Sequence, residues 1–116
     1  MGSIQLKPIS EAPSKQDGIR ILAERKWPRG VSKEKAGIDF WMKEIAPSDK
    51  LKTWLDGDPS RWDEFTKKYW KELARNKSLA GFRQHLTGVR VTLVFSGRNG
   101  KQSPAIALQE FLSRKS

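Results

Sequence analysis

Between residues 22 and 35 the chain reads LAERKWPRGVSKEK, setting five cations, a tryptophan, a proline and a glycine behind a short apolar run. Arginine offers a planar fork of donors that matches phosphate or carboxylate, whereas lysine offers a point charge. Glycine lets a backbone approach a ligand closely, and tryptophan can stack on a base. Arg25, Trp27, Arg29, Gly30 and Lys33 therefore form a candidate anion-binding set, with the arginines favoured over Lys26. A second group stands near the C-terminus, in SGRNGKQSP, where Arg98 and Lys101 lie among Gly97 and Gly100. The competing explanation is a stiff, solvated turn, because surface charges pair weakly and Glu24 is close at hand. Trp27 also suits the core better than a stacking platform. Neither glycine stretch matches a Walker or dinucleotide fingerprint.

Catalytic chemistry finds less support. His85 is the only histidine, and its place at a helix end suits capping or partial burial. Asp56, Asp58, Asp63 and Glu64 gather at a helix start, where capping and the helix dipole account for them. Glu24, Glu44 and Tyr69 remain as weak acid–base candidates, Glu24 because it borders the cationic loop. With no cysteine and one histidine, no metal-ligand set can be assembled, and no cofactor is expected.

These residues need elements to position them. Alternating apolar residues predict strands over 4–9 and 19–27, separated by the loop EAPSKQDG, with Pro8 placing the first at an edge or strand end. Ser32 caps a predicted helix over 32–45, where Ile38, Trp41, Met42 and Ile45 follow the i, i+3, i+4, i+7 spacing. Phe40 falls on the opposite side of that helix, either under a second layer or exposed. Ser48 starts a short helix bearing Leu51, Trp54 and Leu55. Asp58-Pro59 starts another, reaching about 76 with Trp62, Phe65, Tyr69 and Leu73 on one stripe. A fourth helix is expected over 78–86, then a strand over 89–95, then a last helix opened by Ser103-Pro104.

The expected fold is α/β: a small parallel, mostly three-stranded sheet with a helical insert between the second and third strands and a C-terminal helix. Helices between the second and third strands imply a right-handed crossover and parallel pairing. Ligands of such sheets sit outside the carboxyl ends of the strands. Both cationic loops fall there, and so do two predicted helix starts near Ser32 and Ser103, whose free N–H groups favour anions.

Composition sets the outer bounds. The 116 residues read as a single domain, 1–116, with residues 1–3 a candidate cloning remnant that carries no weight. Five tryptophans and five phenylalanines argue against disorder. No apolar run is long enough for a membrane span and no signal-peptide pattern opens the chain, so a cytoplasmic location is expected. Net charge is +10. Residues 1–35 hold eight cations against four acids, residues 36–76 eight against eight, and residues 77–116 seven against one. The excess thus belongs to the two chain ends, at +4 and +6.

The chain resembles the bacterial domain of unknown function 488 family, in its short YeaO-like branch. The likeness covers almost all of it and rests on R-x-W-P-R-G-V-S-K-E-K-A (Arg25, then 27–36), on W-x-K-E-I-A-P-S (Trp41, then 43–48) and on D-P-x-x-W-x-x-F-x-x-x-Y (58–69). The resemblance implies a small α/β protein with a parallel sheet and a helical insert, and no established activity. It carries Arg25, Trp27, Pro28, Arg29, Gly30 and Lys33 as family motif residues. Two departures stand out: Glu24 where family members usually show aspartate, and NGKQSPA where they tend to carry an Asn/His-containing segment. The functional expectation is a binding module for a phosphate-bearing anionic ligand or nucleic acid at the basic edge. The alternatives are a small enzyme acting on an anionic substrate there, or an interaction protein marked by exposed Phe40 or Trp70.

Overall fold

A computed structural model describes residues 3–96 and 103–114, apart from the side chain of residue 85. Four strands form one sheet: β1 (Ile4–Pro8), β2 (Ile19–Leu22), β3 (Phe40–Trp41) and β4 (Val91–Phe95). Their order is β1-β4-β2-β3, and every pairing is parallel. The helices are α1 (Lys33–Ala36), α2 (Asp49–Gly57), α3 (Trp62–Ala74), α4 (Lys77–His85) and α5 (Pro104–Arg114). The mixed α/β class, the parallel pairing of β2 with β4 and the C-terminal helix match expectation. The sheet has one strand more than the three foreseen.

In register, Ile4 and Ile19 flank Val91, and Leu6 and Ile21 flank Leu93, so one face of the sheet is a continuous apolar surface. The longer helices cover it with Leu55, Phe65, Tyr69, Leu73, Leu108 and Leu112 among others. Strand alternation sends Lys7, Arg20 and Thr92 to the opposite face. There they converge on Asp17, in a 3-10 turn over Lys15–Asp17. Arg20 Nη1 donates to Asp17 Oδ2 at 2.6 Å and Lys7 Nζ to Oδ1 at 3.1 Å. Thr92 Oγ1 donates to the Asp17 carbonyl at 2.7 Å, and Arg20 Nη2 to the Ala36 carbonyl at 2.8 Å. Asp17 is 4% exposed and Arg20 3%. One face is thus held by apolar packing and the other by a buried charge cluster.

The predicted helix over 32–45 is corrected. Ser32 does cap a helix, but α1 makes a single turn and closes on Gly37 at φ 61, a left-handed conformation that suits glycine. Beyond it the chain zips onto β2. The Asp39 amide donates to the Arg20 carbonyl, the Arg20 amide to Asp39 Oδ2, and the Met42 amide to the Leu22 carbonyl, each at 2.8 Å. These bonds make residues 40–41 the edge strand β3, and Phe40 is left 48% exposed. The strand expected over 19–27 ends at Leu22, because the next carbonyl of interest, that of Glu24, is claimed by the Trp41 indole at 2.6 Å.

Candidate functional site

Because β2 and β4 are parallel neighbours, their carboxyl ends deliver Glu24 and Ser96 side by side. The Ser96 amide donates to Glu24 Oε2 at 2.8 Å and its hydroxyl to Oε1 at 2.6 Å. Both carboxylate oxygens are engaged, so Glu24 acts as a clasp between two strand ends. Around the clasp opens a cleft of about 410 Å³, whose lining includes Arg25, Lys26, Pro47, Lys52 and Pro104.

Local sequence explains this wall. Ser48 takes an extended conformation, and its hydroxyl accepts from the Leu51 amide, starting α2 at Asp49 on the cleft rim. Ser103 accepts from the Ala105 amide, starting α5 at Pro104 on the same rim. Two helix starts thus face one space, and each presents the positive end of its dipole. Arg25 Nε donates to the Pro47 carbonyl at 2.8 Å, which fixes the guanidinium at the wall. Its terminal nitrogens bond to no other described residue. Lys26 adds a second exposed cation. Lys52 is neutralised by Asp56 at 2.6 Å. Asp49 is the one lining carboxylate without a partner among the described residues. The arrangement can hold a planar or tetrahedral anion against Arg25.

The other predicted residues divide. Trp27 and Lys33 lie outside the cleft lining, in an aromatic–cation cluster beside β3. Trp27 Nε1 donates to the Val31 carbonyl at 2.8 Å, and its ring meets Trp41 edge-on at 5.4 Å between centroids. The Lys33 ammonium stands 5.8 Å from the Trp27 centroid, and Lys43 stands 4.1 Å from that of Trp41. Trp27 is therefore a half-buried residue held against Trp41 and the Val31 carbonyl, outside the hydrophobic core. Arg29 and Gly30 form an exposed turn with Gly30 at φ 74, also outside the lining. Arg98 and Lys101 lie outside the described residues. The helix start expected at this edge near Ser32 is replaced by that of α2, since α1 contributes nothing to the lining.

The acid–base candidates fare differently from one another. Glu24 is committed to Ser96. Tyr69 is 1% exposed and donates to the Ile45 carbonyl at 2.6 Å, and burial pushes its phenol far above the ordinary range. Glu44 is exposed and outside the lining; its carbonyl accepts from Asn76 Nδ2 at 2.6 Å. Sequence reasoning missed Lys52, Asp49 and Pro47. The Ser48 cap was the available signal, because it put a helix start directly after the Ala-Pro break.

A family model described as the inactive DUF488-N3 subclade matches residues 3–116. The chain is 34% identical to the uncharacterized protein YeaO of Escherichia coli K12 over 114 residues, covering 95% of this chain and 96% of that one. It is 35% identical to an uncharacterized protein of Mycobacterium tuberculosis H37Rv over 111 residues, covering 95% and 93%. An uncharacterized Mycobacterium bovis protein shows the same identity and coverage. No solved structure matches the chain significantly.

Proposed function

The chain belongs to the DUF488 family, in the subclade described as inactive, and from that premise we propose that it is a binding module for a small phosphate-bearing ligand. The carrying observation is Arg25, tied through Nε to Pro47 with its terminal nitrogens bonded to no other described residue, in a cleft where α2 and α5 both begin. Binding is favoured over turnover because Glu24 has both oxygens engaged, Tyr69 is sealed in the core and Glu44 lies off the lining. The family description agrees with that preference.

Isothermal titration with inorganic pyrophosphate and a set of nucleoside phosphates tests the reading. Arg25→Gln removes a charge-assisted pair, so affinity is expected to fall by about tenfold or more, with the melting temperature little changed. Equal binding by the variant, or no phosphate binding at millimolar ligand, refutes it. An interaction role has one observation of its own, the exposed Phe40 on the free edge of β3. Trp70 does not join it, since its indole donates to the Ala107 carbonyl and its ring packs on Phe111.

A further inference from the structure

Residues 36–76 balance eight cations against eight acids in sequence, but not in space. Lys67, Lys68, Lys71 and Arg75 recur at i, i+1, i+4 and i+8 along α3 and its cap, an arc of about 100° at 3.6 residues per turn. All four are exposed, and Lys77 at the start of α4 extends the line. None forms an ion pair with a described residue; the four described cation partners are Lys7, Arg20, Lys52 and Arg61. Three of the acids that balance the count have partners of their own, while Asp63 and Glu64 stand at the N-terminal end of α3. Glu72 gives both oxygens to Ser48, at 3.0 Å from its amide and 2.7 Å from its hydroxyl. Asp56 is paired with Lys52, and Asp58 caps the turn before α3. Glu64, at the N-terminal end, is the one acid on the arc.

The aromatic rings near this face already have cations against them. Arg61 and Lys68 stand 5.1 and 5.3 Å from the Trp54 centroid, and Arg114 stands 4.9 Å from that of Trp70. A single-strand binder needs open rings for bases to stack on, and Trp54 and Trp70 are half-buried with cations already over their rings. It offers a rigid row of cations. Lys67 to Arg75 rises about 12 Å along the axis. Laid along a duplex axis, that length covers about three base-pair steps, at about 3.4 Å of rise each.

We infer that the outer face of α3 docks duplex nucleic acid through its backbone phosphates, without reading sequence. This surface is separate from the cleft residues, and neither reading depends on the other. The test is fluorescence anisotropy with a labelled duplex of about 20 base pairs across a salt series. The same single strand and phosphatidylserine vesicles serve as competing probes. The intact chain is expected to show a slope of log affinity against log salt near about −4, independent of sequence. Lys67→Gln/Lys71→Gln/Arg75→Gln should bring it to about −1, and Lys71→Gln alone should lessen it by about one unit. Glutamine keeps helix propensity, and circular dichroism checks the fold. The triple variant should retain pyrophosphate binding, and Arg25→Gln should retain duplex binding, so the two readings fail independently. An unchanged slope in the variants, no duplex binding at low salt, or tighter binding to single strand or vesicles overturns the inference.

Discussion

Glu24 shows how a residue changes meaning once its partner is known. In sequence it is an acid bordering five cations, a plausible general base. In the fold its oxygens receive the amide and hydroxyl of Ser96, 72 positions away. Glu24→Ala is expected to destabilise the protein by about 1–3 kcal/mol, through the loss of these bonds and a stranded amide. A urea titration should show a lower midpoint with unchanged slope. Asp17 gives a second expectation at this scale. Burial raises its carboxyl, but the Ser14 amide, Arg20 and Lys7 outweigh that and leave it below the ordinary carboxylate value. A group depressed in the folded state contributes stability above its unfolded pKa, and loses it as pH falls through the folded one. The stability gap between the native chain and Asp17→Asn should therefore be full near neutrality and shrink below about pH 4. A gap that stays constant to acid would contradict the assignment. The Glu24 role was not legible locally, because its partner follows another strand; at Asp17 the Ser14 amide and Arg20 lie three residues away, and only Lys7 comes from a different strand. The position of Arg25 was legible, because its place after a parallel strand already put it at the carboxyl edge of the sheet, where it lines the cleft.

Elements were legible where a side chain starts them. Ser48, Asp58 and Ser103 each cap a helix or turn as their types predict. The segment over 32–45 was not, because its apolar spacing fits a long helix equally well. Gly37 decides the matter, and only the fold reveals that Asp39 and Met42 have β2 beside them to bond. Three glycines at positive φ separate backbone preference from crowding. At Gly30 an added Cβ meets nothing within 4 Å, at Gly37 it comes 2.7 Å from Pro13 Cγ, and at Gly18 it runs into the Arg90 carbonyl. Alanine at Gly30 should cost about 1–2 kcal/mol from conformation alone. Alanine at Gly37 should cost more, and at Gly18 most, because a backbone carbonyl cannot step aside. Thermal melts of the three variants should rank in that order. A Gly30 variant as unstable as the Gly18 one would contradict the crowding argument.

At the scale of the whole molecule, charge was legible as a total and incomplete as a map. The sequence put the excess at the chain ends, whereas the fold leaves an unpaired row on α3, in the stretch that counted as neutral. No described helix is long and apolar enough to cross a membrane. The order of the sheet carries a further consequence. β4 lies between β1 and β2, yet it is the last strand to be made. On a ribosome, β1 and β2 emerge with no central neighbour to join them, and only the two-residue β3 can pair with β2. Parallel pairing across such sequence distance is slow, and unpaired strands invite association. The nascent chain therefore crosses most of its length without the central strand, and the four-stranded sheet closes late, when residues 91–95 slide into the gap.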